Sequence, residues 1–125
     1  VDYDVLVVED SASMRAFISS TIEELDGVRA VQAASGFEAL KELPRRAFHL
    51  VITDINMPDI NGLELIRFIR ENDRYAKIPL IVISTEGSQR DRERGLALGA
   101  NNYLVKPFDP AQLQELVTRY LKGGP

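Results

Sequence analysis

Short runs of β-branched and aliphatic residues recur along this chain, and each is followed by a longer stretch whose apolar positions fall at helical spacing. Asp4 to Val8 (DVLVV) is the first such run. Its apolar residues are nearly continuous, the pattern of a strand buried on both faces. Met14, Phe17, Ile18, Ile22 and Leu25 then recur at helical intervals up to Gly27. Val28 to Ala33 predicts a second strand, His49 to Thr53 a third, Leu80 to Ile83 a fourth and Asn102 to Val105 a fifth. Between them lie a short helix opened by Ser35 and Glu38, a helix from about Gly62 to Asn72, and a polar helix capped by Ser88 with Asp91 and closed by Gly99. A last helix starts at Asp109-Pro110 and buries Leu113, Leu116, Val117, Tyr120 and Leu121. Five strands alternating with five helices imply right-handed crossovers, hence an α/β fold with a parallel sheet covered on both faces.

Such sheets bind ligands beyond the carboxyl ends of their strands. Glu9 and Asp10 follow the first strand here. Asp54 follows the third, with Asn56 two residues on. Ser84 and Thr85 follow the fourth, and Lys106 and Pro107 the fifth. The second strand delivers only Ala34 and Ser35, as an edge strand away from a site would. If strands one and three are neighbours, three acids converge on one pocket with a hydroxyl and an ammonium on its flank. Crowded carboxylates either gain proton affinity or are neutralised by a cation. An all-oxygen donor set suits Mg²⁺, which keeps several waters and leaves room for a phosphate. Phosphoryl transfer fits this constellation, with Asp54 as nucleophile, Lys106 as a charge for phosphate oxygens and Ser84 as a hydrogen-bond donor.

Composition narrows the classes further. The 125 residues suit one domain. The chain has no cysteine, which excludes disulfides and thiolate metal sites. A single histidine at the start of a strand argues against zinc. A net charge of −4 argues against direct nucleic-acid binding. No apolar run approaches the roughly 20 residues of a membrane-spanning helix, and the first residues carry no basic leader, so a cytoplasmic protein is expected.

Each residue has a plainer reading on its own. Asp54-x-Asn56 can be an Asx turn, Glu9-Asp10 can complement the following helix dipole, Lys106 can be solvated, and Tyr103 can be packing. Those readings leave unexplained why acid, acid, hydroxyl and lysine end four different strands.

Four motifs in this order resemble the receiver domains of two-component response regulators, most closely the single-domain chemotaxis regulators: Val7-Val8-Glu9-Asp10-Ser11, Asp54-Ile55-Asn56-Met57-Pro58 with Asn61-Gly62-Leu63, Ile83-Ser84-Thr85-Glu86, and Lys106-Pro107-Phe108. The likeness runs from Val5 to Leu121. It implies a flavodoxin-like sheet of order 2-1-3-4-5, a receiver domain over residues 1–122 and a frayed tail or linker start at 123–125. It implies that Asp54 is the phosphoacceptor, Asp10 a direct Mg²⁺ ligand, Glu9 the other acid acting through a metal-bound water, and Asn56 a carbonyl donor to the metal. It makes Ser84 the switch hydroxyl, Lys106 the phosphate contact, Tyr103 the switch aromatic and Lys106-Pro107 a cis peptide. It further implies a histidine kinase as phosphodonor, a downstream protein at the face of helix four, strand five and helix five, and catalysis confined to the domain's own phosphorylation and dephosphorylation. A receiver within a larger hybrid kinase fits the same motifs. An aspartyl-nucleophile phosphatase fits poorly, because Asn56 stands where its second aspartate is needed. Two departures from the family pattern stand out. Glu9 replaces the commoner Asp, and Thr85 occupies a position where chemotaxis members often carry a small residue.

Overall fold

The computed structural model describes residues 2–85 and 89–122. Five strands, β1 (Tyr3–Val8), β2 (Val28–Ala33), β3 (Leu50–Asp54), β4 (Leu80–Thr85) and β5 (Asn102–Lys106), alternate with helices α1 (Ala12–Glu23), α2 (Gly36–Glu42), α3 (Gly62–Glu71), α4 (Gln89–Leu98) and α5 (Pro110–Leu121). All strand pairings are parallel, in the order β2-β1-β3-β4-β5. This is the flavodoxin-like arrangement expected above.

Alternation along the central strands divides the core in two. Val5 and Val7 of β1 face one layer, where Ile18 and Ile22 of α1 and Leu113 and Val117 of α5 cover them. Leu6 and Val8 face the other, with Leu65, Ile66 and Ile69 of α3 and Ala39 of α2. Fully burying one such aliphatic side chain contributes about 1.5–3 kcal/mol, so the central strands are the most firmly held part of the fold. Phe17 departs from the expected core stripe: it is 38% exposed and lies against Phe108, ring centroids 5.9 Å apart. The first helix ends at Glu23, four residues before Gly27.

Local capping follows the sequence closely. Ser35 Oγ accepts the Glu38 N–H at 3.1 Å, while the Glu38 carboxylate reaches back one residue beyond the cap, to the N–H of Ala34 at 2.8 Å. Asn61 and Glu64 form a reciprocal capping box at the start of α3. Pro110 opens α5, and the Asp109 N–H is held by Gln112 Oε1 at 2.9 Å. The proposed Ser88 cap of α4 lies outside the described residues, as does Glu86.

Three strands run further than their apolar runs suggest. Asp54 is the last residue of β3, Ser84 and Thr85 end β4, and Lys106 ends β5. The register explains this: Asp54 pairs with Ile83, and Thr85 with Lys106. Ladder hydrogen bonds use only main-chain groups, so pairing continues past the point where side chains turn polar.

Candidate phosphoacceptor site

The register that builds the sheet also assembles the acids. Val8 of β1 lies opposite Thr53 of β3, which brings Glu9 and Asp54 side by side one residue later. Glu9, Asp10 and Asp54 each offer a carboxylate oxygen, and these atoms lie within 4.8 Å of one another. Glu9 is 1% exposed and Asp54 6%, whereas Asp10 is exposed.

Lys106 crosses from the far side of the sheet into this cluster. Its Nζ donates to Glu9 Oε1 at 2.9 Å and to Asp54 Oδ2 at 3.1 Å. The second oxygen of Glu9 accepts the Ser11 N–H at 2.9 Å, so both of its oxygens are engaged. Asp54 Oδ1 accepts the Asn56 N–H at 3.4 Å. The Asp10 carboxylate has no hydrogen bond or ion pair among the described residues.

The electrostatics follow from burial and pairing. Burial pushes the Glu9 carboxyl above its ordinary range, and the charge of Asp54 adds to this, while the Ser11 N–H and Lys106 oppose it. For Lys106, burial works against the charge, but the hydrogen bond to Glu9 and the charge of Asp54 outweigh it and hold the ammonium above its usual value.

On the other flank, Ser84 Oγ is buried and has no hydrogen-bond partner among the described residues. Buried hydroxyls rarely stay unpaired, so this one, near the end of the strand beside β3, is a donor without an internal partner among the described residues. Thr85 is exposed at the end of β4. Tyr103 is 38% exposed on β5, with the Arg92 guanidinium of α4 over its ring at 5.3 Å. The Lys106-Pro107 peptide is cis.

Glu9, Asp10, Asp54 and Lys106 thus come together directly, and Asn56 joins them through its main chain. Tyr103 stands apart, on the α4 side of β5. His49, at the opposite end of the sheet, accepts the Asp4 N–H through Nδ1 at 3.1 Å and meets the edge of Tyr3, so it has no part in the cluster. Two residues not singled out in the sequence act on the site's frame. Arg15 of α1 donates to the carbonyl of Glu9 at 2.9 Å and to Gln32 at 3.2 Å. Asp59, in the loop after Asp54, binds the start of α2. Neither carries a local signal: one is a polar position on an amphipathic helix, the other one of several turn formers in a loop.

Comparison with known proteins identifies the family. The sequence profile of the response regulator receiver domain matches residues 5–118. The chemotaxis protein CheY1 of Helicobacter pylori is 42% identical over 112 residues, covering 89% of this chain and 90% of that protein. A CheY homolog of Campylobacter jejuni is 39% identical, over 96% of this chain and 93% of its own. Among solved structures, CheY4 of Vibrio cholerae superposes with a TM-score of 0.88 at 36% identity, covering 97% of this chain and all of the other. The receiver domain of a sensor histidine kinase from Pseudomonas aeruginosa PAO1, which has a magnesium ion coordinated in its active-site cleft, superposes with a TM-score of 0.88 at 30% identity, covering 98% and 99% of the two chains. With the profile spanning nearly the whole fold and chemotaxis regulators matching it over most of their length, the chain belongs to the response regulator receiver domains, and among them it is of the CheY kind.

Proposed function

We propose that this chain is a phosphorylation-driven switch of a chemotaxis-type two-component pathway, in which Asp54 accepts a phosphoryl group from a histidine kinase. The observation that carries this reading is the placement of Lys106 between Glu9 and Asp54; the buried, unpartnered Ser84 hydroxyl near the end of the neighbouring strand β4 supports it. The receiver unit comprises residues 1–122, working in the cytoplasm.

An Asp54 oxygen attacks phosphorus, the bond from phosphorus to the donor nitrogen of phosphohistidine breaks, and that nitrogen keeps the electron pair and regains a proton from solvent. Lys106 turns from carboxylate to the phosphoryl oxygens, and Ser84 donates to one of them. The donor set suits Mg²⁺: Asp10 and Asp54 would bind it directly, the Asn56 carbonyl would complete the protein's share, and Glu9, whose two oxygens are engaged, would act through water. When bound, the ion neutralises the acids and the charge of the incoming phosphoryl group.

Output follows as a population shift. Phosphate on Asp54 draws the Ser84 hydroxyl inward, Tyr103 turns toward the vacated space, and the face of α4, β5 and α5 becomes complementary to a downstream protein. Arg90, Arg92 and Arg94 supply its positive charge.

Mass spectrometry after incubation with acetyl phosphate and Mg²⁺ tests the assignment. The chain should gain one phosphoryl group and Asp54→Asn none. An undiminished gain in that variant would overturn the reading.

A further inference from the structure

The loop from β3 to α3 carries Asn56 out of the sheet between the buried side chains of Ile55 and Met57, with its N–H on Asp54 Oδ1, and three further attachments hold the loop. At its base, the Gly62 N–H donates to the Ile55 carbonyl at 2.8 Å, and the Gly62 α-carbon packs so closely on the main chain of Asp54 and Ile55 that a Cβ has no room. On its flank, Gly36 lies flush with Ile60, where a Cβ would fall 2.6 Å from the Ile60 Cβ. At its tip, the Asp59 carboxylate spans the first two N–H groups of α2, accepting from Gly36 at 3.2 Å and from Phe37 at 3.0 Å. The Phe37 N–H, outweighing a small burial effect, and the N–H groups of Ile60 and Gly36 hold this carboxyl below its usual range. The start of α2 already has its own cap in Ser35, so Asp59 adds a tie between loop and helix and does not merely supply a missing cap.

We infer that Asp59 is a positioning residue for the metal site: by tying the loop to α2 it sets where the Asn56 main chain stands relative to Asp54. This rests on the reading above, in which that main chain and Asp54 share one Mg²⁺. Asp54 is anchored in the sheet ladder, but Asn56 is exposed and two residues beyond it. Mg²⁺ tolerates little departure from octahedral geometry at about 2.0–2.1 Å. A loop free to drift therefore loses affinity although every ligand is still present. Groups that orient metal ligands without touching the ion typically change affinity by about 10–100-fold. Asp59 acts through the two intervening residues Met57 and Pro58, which places its effect at the lower end.

Calorimetric titration of the full chain with Mg²⁺ tests this, alongside urea unfolding without the ion. Asp59→Ala should weaken Mg²⁺ binding by about tenfold. Asp59→Asn keeps one acceptor oxygen and should fall between it and the parent, by about threefold. Amide exchange from Asn56 to Ile60 should quicken in the same order. A residue that only capped α2 would lower the urea midpoint and leave the Mg²⁺ affinity alone. Affinities within about twofold of the parent in both variants would therefore overturn the inference, whatever their stability; if Asp59→Ala does not fold, Asp59→Asn decides by the same criterion. If the parent chain binds no Mg²⁺, the metal reading falls and this inference with it, whereas parental binding with unchanged variants overturns the inference alone.

Discussion

Lys106 and Glu9 lie 97 positions apart in the chain and meet at 2.9 Å at the carboxyl edge of the sheet. Their contact spans β1 and β5, which are not neighbours. The long lysine side chain reaches across β3 and β4, and on the way it also neutralises Asp54.

Removing that ammonium leaves two buried carboxylates facing each other. Lys106→Met should destabilise the metal-free chain by about 1–3 kcal/mol, less than a fully buried pair would cost because Lys106 keeps 19% of its side chain in solvent. Urea unfolding measures this. Saturating Mg²⁺ should recover part of the loss, since it supplies the missing positive charge.

For the parent chain, Mg²⁺ should stabilise the fold by mass action, by about 2.7 kcal/mol at a hundred times Kd, and so raise the thermal midpoint. Asp10→Asn should abolish most of that gain. In the absence of the ion the same variant should be as stable as the parent or more so, because one repelling charge is gone. A midpoint independent of Mg²⁺ in the parent would contradict the site.

The raised proton affinity of Glu9 gives a pH dependence of defined sign. Burial is its main cause, so the folded chain holds this proton more tightly than the unfolded chain. The stability tied to Glu9 is full below the ordinary glutamate range and is lost as pH rises through the raised folded value. Glu9→Gln is uncharged throughout, so its urea midpoint relative to the parent should climb as pH rises from the ordinary glutamate range through the raised folded value. Asp4, held down by its hydrogen bond from Arg29, behaves oppositely but is common to both proteins and cancels. A relative midpoint that is flat or falls over this range would refute the assignment.

Ser84→Ala should separate stability from signalling. The buried hydroxyl has no partner among the described residues, so its removal should stabilise the unphosphorylated chain by about 1 kcal/mol. The same variant should block the spread of beryllofluoride-induced chemical-shift changes from Asp54 to Tyr103 and α4. Changes in the parent that stayed around Asp54, or ran to α1, would place the output surface elsewhere.

Thr85 ends β4, the strand beside the one that carries the proposed phosphoacceptor Asp54. Its bulk should hinder water, so Thr85→Ala should hasten loss of phosphate from Asp54 by about twofold or more. Decay of the phosphorylated mass with time reads this directly, and an equal or slower rate would remove the steric argument.

The sequence by itself determined the element order, because β-branched runs and helical periodicity are local signals that survive without neighbours. It also placed Glu9, Asp54, Ser84 and Lys106 at strand ends, where an α/β sheet concentrates its chemistry. The order of the strands came from resemblance to a family, since hydrophobic runs do not say which strand lies beside which. Tertiary structure decided what depends on distance between remote segments. It set the register that puts Val8 opposite Thr53, and with it the meeting of Glu9 and Asp54. It turned Phe17 out of the core stripe onto Phe108. It engaged both oxygens of Glu9 while leaving the Asp10 carboxylate facing solvent. It also recruited Arg15 and Asp59, whose local patterns mark only a helix face and a turn, into the frame around the acids. Periodicity records which face of an element is buried, but a side-chain contact depends on where the chain's other elements stop, and that is a property of the packed fold.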